Sequence, residues 1–295
     1  MDIALSNDPA PIRLSPGAAV TQACLWEAAA PKPGNVHPGA SFTDASYGDY
    51  VASAVVVGPI VERAADAGVG QTVLDAVRAT RDAVGTNTNL GTLLLVVPLA
   101  AVPNDVSLHH GIADVLASLT TDDTALVYEA IRLAAPGGLQ PASTADVSEP
   151  PPAELDLTSA MRLAADRDLV ARQYTNGFAD VLGGTAEWIA EGVAEGWAMS
   201  AAIVHAHIRQ LASEPDTLIA GKCGADVARE ASRRAASVLA AGAPGSPGYD
   251  ATLADLDRWL RADGHRRNPG TSADLIAAGL FALLREGVLR WPIEM

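Results

Sequence analysis

Four short polar segments interrupt otherwise apolar runs, and their residue types suit a phosphate, another anion or a metal. The first is Pro31-Lys32-Pro33-Gly34-Asn35-Val36-His37, followed by Asp44 and Asp49. Two prolines fix the backbone, Gly34 permits a left-handed turn, and Lys32 and Asn35 present polar tips. Lys32 and Lys222 are the only lysines among 20 basic residues, the rest being arginine. A lysine between two prolines suits a compact point charge against a phosphate oxygen, with a solvated turn as the plainer alternative. The second segment is Gly85-Thr86-Asn87-Thr88-Asn89-Leu90-Gly91-Thr92. Small polar residues opening a very apolar helix offer free backbone N–H groups and hydroxyls, which can cradle an anion or simply cap the helix.

The third segment is Asp166-Arg167-Asp168-Leu169-Val170-Ala171-Arg172-Gln173-Tyr174. Asp168 and Arg172 are spaced to pair on one helical face; the functional alternative makes Asp168 a metal ligand or the partner of a ligand-bound Arg172. The fourth is Asp263-Gly264-His265-Arg266-Arg267-Asn268-Pro269-Gly270-Thr271-Ser272-Ala273-Asp274. Arg266 and Arg267 supply charge for phosphate, while Asn268, Thr271 and Asp274 stand where the last helix would be capped. His109-His110 and His205/His207 lack the spacing of a zinc site, and no zinc is expected.

The elements that position these segments read as helices almost throughout. The punctuation predicts helices over Ala18–Ala30, Tyr47–Ala67, Thr72–Val84, Leu90–Ala101 (interrupted at Pro98), Leu108–Leu119 and Asp122–Ala135. It continues with Asp156–Asp180, Ala186–Ser213, Leu218–Ala241, Ala251–Ala262 and Ser272–Leu289. No period-2 run competes, so the expected fold is all-α in a single domain over 1–295. The proline-rich stretch Pro136–Glu154 is long for a connection and reads as a substrate lid or a tether.

Composition narrows the classes of function. Nearly half of the 295 residues are apolar but only 4% are aromatic, a core of Ala, Leu, Val and Ile that suits packed helices. A net charge of -15 argues against a nucleic-acid partner, yet leaves room for an anionic ligand held by local cations or a metal. The chain contains no bilayer-length apolar run, and its start, MDIALSNDPAPIRL, does not resemble a signal peptide. With two cysteines and no disulfide framework, a cytoplasmic protein is expected, and a homo-oligomer stays open.

Taken in order, the polar segments resemble the triphosphoribosyl-dephospho-CoA synthase family. The matching pieces are Lys32-Pro33-Gly34-Asn35-Val36-His37 with Asp44, and Thr86-Asn87-Thr88-Asn89-Leu90-Gly91. Arg132, Pro136-Gly137-Gly138-Leu139, Arg167-Asp168-Leu169 with Arg172 and Tyr174, and Asn268-Pro269-Gly270-Thr271-Ser272-Ala273-Asp274-Leu275 follow. The resemblance implies a helical enzyme that takes ATP and 3′-dephospho-CoA, releases adenine and leaves a triphosphoribosyl group on the ribose 2′-hydroxyl. Citrate-lyase enzymes of the family read His-Lys where this chain has Asn89-Leu90, and their glycine–alanine–arginine–glycine–glutamate motif has no clear counterpart. The chain is more similar to a branch of archaea and C1-metabolising bacteria, where the acceptor could belong to tetrahydromethanopterin assembly. Two rival classes remain: a Mg²⁺-dependent N-glycosidic hydrolase, with water as acceptor, and a nucleotide-binding protein that keeps the fold without the reaction.

For the transfer, Asp44 is the expected catalytic carboxylate near C1, with Asp168 as a second catalytic candidate. Lys32, Arg266 and Arg267 would hold the triphosphate, with Mg²⁺ bridging it to Asp168 or Asp274. Gly34, Asn35, His37, Asn87, Thr88, Asn89, Arg172, Asn268 and Thr271 complete the expected binding set.

Overall fold

The computed structural model describes residues 13–138 and 144–289, together with Ile293 and Met295. Residues 1–12, and Leu139 with the rest of 139–143 in the expected lid or tether, lie outside the described residues. Among the described residues no strand forms; an isolated bridge joins His37 to Ala40.

Helix starts follow local chemistry. Ser15 accepts from the Ala18 amide and Pro16 occupies the first turn of α1 (Pro16–Ala29). Ser46 and Asp49 cap each other reciprocally at α2 (Tyr47–Val61). The short α3 (Ala64–Ala67) precedes α4 (Val69–Val84), α5 (Leu90–Ala101), α6 (Leu108–Ser118) and α7 (Thr121–Ala134). Then come α8 (Leu157–Arg162), α9 (Leu169–Asn176), a π-turn at Val181–Thr185, and α10 (Ala186–Ala194). The chain finishes with α11 (Met199–Ser213), α12 (Thr217–Cys223), α13 (Ala225–Ala240), α14 (Pro247–Arg261) and α15 (Gly270–Glu286).

Four expected helices are each two. Tyr47–Ala67 breaks after Val61, two residues beyond Pro59. Asp156–Asp180 breaks because Asp168 turns to extended backbone and caps α9 with its carboxylate. Ala186–Ser213 breaks at Gly196, and Leu218–Ala241 at Gly224, both at positive φ (85° and 90°). Conversely, Pro98 does not interrupt α5. Lacking an N–H, Pro98 leaves the Leu94 carbonyl without its helical donor. The Tyr174 hydroxyl donates to that carbonyl at 2.7 Å, so the helix continues at little cost.

Two helices are buried nearly all round. Ten of the twelve residues of α5 and fourteen of the seventeen of α15 are buried, so their ends as well as their flanks lie inside the protein. Helices α1, α2, α4, α7 and α9–α11 pack around them in one large apolar core. A second, smaller core joins α11 to α14 through Ile208, Ile219, Ala231, Tyr249 and Leu260. The buried Asp216 carboxylate ties the two regions together. It accepts from the Ile219 amide at 3.0 Å, and from the Ser272 amide and hydroxyl at 2.7 and 2.8 Å, starting both α12 and α15.

Candidate active site

Because α5 and α15 are buried, the free N–H groups and positive dipole ends at their N-termini face the interior. The two starts meet: the Thr92 hydroxyl, in the first turn of α5, donates at 2.7 Å to Oδ1 of Asp274, the fifth residue of α15. Gly91 sits against the Asp274 carboxylate so closely that a Cβ there would collide with Oδ2. Burial raises the Asp274 pKa to about 8, with the Glu27 and Asp216 carboxylates adding to the rise and the Thr92 hydrogen bond opposing it. At neutral pH Asp274 is therefore mostly protonated, a carboxylic acid able to donate.

Asp274 lies in the wall shared by two cavities. The first, about 390 Å³, is polar and is lined by Glu27, Asn35, Asp44, Tyr50, Arg81, Thr88, Asn89, Lys222, His265 and Asn268. The second, about 470 Å³, is lined mainly by aliphatic side chains of α5, α7, α8 and α9, with Arg167, Asp168 and Thr271 among its few polar groups. Asn87, Gly91, Pro136, Gly137, Leu218 and Asp274 border both.

Most of the expected residues from the second and fourth segments reach these cavities. Asn87 caps α5, its Oδ1 accepting from the Leu90 amide at 3.1 Å, and the Thr88 hydroxyl meets Ser53 at 2.6 Å. Asn89 accepts from the Thr80 hydroxyl at 3.2 Å, while its buried Nδ2 has no protein partner; nor has the buried Oδ1 of Asn268. Thr271 accepts from the Thr217 hydroxyl at 3.1 Å on the apolar side. Asn35 borders the polar cavity, its carbonyl taking a hydrogen bond from Arg261 at 2.6 Å. Asp44 stands at the mouth, its side chain 63% exposed and 3.5 Å from His265 Nε2.

The structure corrects the placement of six others and the role of a seventh, Asp168. Lys32 does not point into either cavity. Its side chain is fully buried behind Glu27, with Nζ 2.8 Å from Glu27 Oε1 and bonded to the Glu27 carbonyl. The prolines around it thus fix a buried ion pair. Gly34, at φ 74°, packs on Leu260 and Pro269 and donates its amide to Asp257, so it builds the turn rather than the cavity wall. His37 folds back onto the Gly39 amide, outside both cavities. Arg172 does not pair with Asp168; it bridges Asp180 and Glu214 at 2.9 and 3.0 Å, away from both cavities. Arg266 pairs with Asp263 and caps the Lys222 carbonyl, and Arg267 stacks 4.6 Å over Trp259. Asp168 borders the apolar cavity, but its Oδ1 is engaged by the Val170 amide at 2.8 Å, and burial raises its pKa. With Asp274 it was the expected metal pair; no cluster of three or more His, Cys, Asp or Glu side chains with metal-binding geometry occurs among the described residues.

Sequence reasoning missed Glu27, Tyr50, Arg81, Lys222 and His265. Glu27 stands five residues before Lys32, close to the spacing of a helical pair, which was the available signal. Arg81 lies in the last turn of α4 and reads as an ordinary C-terminal cation. Lys222 is the second of the two lysines, and only the packing of α12 beside Gly137 and Gly138 brings it to the cavities.

Residues 13–292 match the family model of ATP:dephospho-CoA triphosphoribosyl transferase, CitG. Among solved structures, the chain is similar to a crystal structure from Archaeoglobus fulgidus described as a triphosphoribosyl-dephospho-CoA synthase. The two are 25% identical over 80% of this chain and 99% of that one, with a TM-score of 0.62. No curated protein sequence matches the chain significantly. No described helix is long and apolar enough to cross a membrane.

Proposed function

The chain belongs to the family of ATP:dephospho-CoA triphosphoribosyl transferases, and from that membership we propose how its joined cavities divide the reaction. ATP occupies the polar cavity, the acceptor approaches from the apolar one, and the ribosyl group passes between them beside Asp274. The observation that carries this reading is the shared wall. A hydrolase needs one nucleotide site and water, whereas here a protonated carboxyl group borders two cavities at once.

An N-glycosidic bond breaks through an oxocarbenium-like state, so positive charge must be stabilised at C1 while the departing base gains a proton. Glu27, held by Lys32, supplies the carboxylate for the first task. Asp274 supplies the proton to adenine, and its carboxylate then accepts the proton of the attacking ribose hydroxyl, which restores the acid. Arg81 and Lys222, with the N-termini of α5 and α15, provide positive charge for the triphosphate, and His265 offers a ring nitrogen beside them. The unpartnered Asn89 amide donor and Asn268 carbonyl acceptor match the acceptor and donor groups of an adenine edge.

A Mg²⁺ ion fits this wall without a dedicated cage, because one or two carboxylates plus phosphate oxygens usually suffice. Asp44, an exposed carboxylate on the triphosphate side beside His265, would hold it, rather than the Asp168–Asp274 pair. When bound, the ion neutralises phosphate charge.

Adenine release measured with ATP and Mg²⁺, with and without 3′-dephospho-CoA, tests the reading. Release that depends on dephospho-CoA supports transfer, and equal release without it would identify a hydrolase.

A further inference from the structure

The apolar cavity is larger than its share of the reaction requires. Only a hydroxyl group must reach Asp274 from that side, yet about 470 Å³ of space extends beyond it. That volume lies within the ~300–1,000 Å³ of sites that enclose an entire drug-sized ligand. Its aliphatic walls are Leu94, Val127, Ile131, Leu157, Met161 and Val170, with Asp146, Arg167, Asp168 and Asp274 as the charged groups in the lining. The aliphatic part of that wall disfavours charge and sets no demand for a flat, hydrogen-bonding ring. It accepts a long, uncharged, flexible chain.

An acceptor of the dephospho-CoA class contains one such part. Its adenosine and diphosphate are polar or charged, whereas the pantetheine arm is neutral and extended. Arg167 lines the same cavity, so the diphosphate that joins the two parts has a cation on the acceptor's own side. Resting on the transfer reading above, we propose that the apolar cavity is a pantetheine subsite and that it selects the acceptor by its arm rather than by its nucleotide.

Steady-state inhibition by free pantetheine tests this, because pantetheine has no nucleotide with which to enter the ATP site. The expected pattern is competition against dephospho-CoA and no competition against ATP. Two substitutions that touch only the apolar wall sharpen it. Ala164→Phe narrows the cavity and Val147→Asp places a charge at its rim. Each is expected to raise the pantetheine inhibition constant and the dephospho-CoA KM at least ~10-fold, with the ATP KM within about 3-fold. Should Ala164→Phe fail to fold, Val147→Asp, near the exposed rim, still reads the effect. Absence of inhibition by pantetheine, competition against ATP, or unchanged constants in both folded variants would overturn the subsite while leaving transfer intact. Failure of the transfer reading is separate, since wild-type protein would then release adenine without any dephospho-CoA.

Discussion

Replacing Asp274 by Asn keeps the side chain's size and its place beside Gly91 and Thr92 but removes the proton it would give and take. Turnover should fall at least ~100-fold, the scale of a positioned acid–base group, with the ATP KM little changed. A near-normal kcat would take Asp274 out of the chemistry. The same carboxyl group makes stability depend on pH. Its folded pKa, raised from the ordinary 3.8 to about 8, means that the native state keeps a proton that the unfolded chain releases. The stability that Asp274 itself contributes should therefore be full below about pH 4, be lost as pH rises toward 8, and stay lost above it. Melting curves at pH 5, 6.5 and 8 should show a shallower decline in Asp274→Asn than in wild type.

Lys32 shows how a residue can be singled out correctly for the wrong contact. From sequence, a lysine between two prolines promises a phosphate; in the fold its ammonium is fully buried against Glu27, 2.8 Å from the carboxylate. Lys32→Ala would strand that carboxylate at the cavity wall. Breaking a buried pair by removing one partner costs about 3–5 kcal/mol, so the variant should unfold at markedly lower denaturant. Glu27→Gln/Lys32→Met, which removes both charges, should recover much of that loss while remaining inactive. A Lys32→Ala protein of wild-type stability that has lost only ATP affinity would return Lys32 to the phosphate.

At the scale of elements, α5 holds the site by being continuous through a proline. The Tyr174 hydroxyl supplies the hydrogen bond to Leu94 that Pro98 cannot. Tyr174→Phe leaves that buried carbonyl unpaired and should destabilise the protein by about 1–3 kcal/mol in equilibrium unfolding. An unchanged midpoint would mean that the carbonyl finds another donor. This compensation also marks where sequence reading ran out. The length and apolar character of Leu90–Ala101 gave the helix, but nothing local reveals that a tyrosine 76 positions beyond Pro98 repairs it. Likewise Gly196 and Gly224 sit inside good helical patterns, and only their positive φ shows that they are stops. The start of α2 at Tyr47 was legible because its capping by Ser46 and Asp49 is decided within four residues.

For the whole molecule, the same division holds between local and distant information. An all-helical fold follows from patterns a dozen residues long, and the two polar segments before α5 and α15 announce themselves as helix starts. That these two starts meet follows from burying both helices; the uncharged sequence of α5 implies its burial, whereas α15 carries Asp274, Arg285 and Glu286 and does not announce its own. What brings Glu27, Arg81, Lys222 and His265 around them is the packing of α1, α4 and α12, and contacts spanning so much of the chain leave no signature in spacing. Arg172 and Arg266 stay outside the cavities for the complementary reason: an acidic chain with 35 Asp and Glu supplies Asp180, Glu214 and Asp263 as partners, while Arg267 is taken up by Trp259.

Transfer across the shared wall, rather than hydrolysis within one cavity, is decided by where the ribose goes. Protein incubated with Mg²⁺, 3′-dephospho-CoA and ATP uniformly ¹³C-labelled in its ribose should yield one labelled product, analysed by mass spectrometry. The label, together with all three phosphates, should be found attached to dephospho-CoA, in amounts equal to the adenine released. Recovery of the label as free ribose triphosphate, with dephospho-CoA unchanged in mass, would contradict transfer at Asp274.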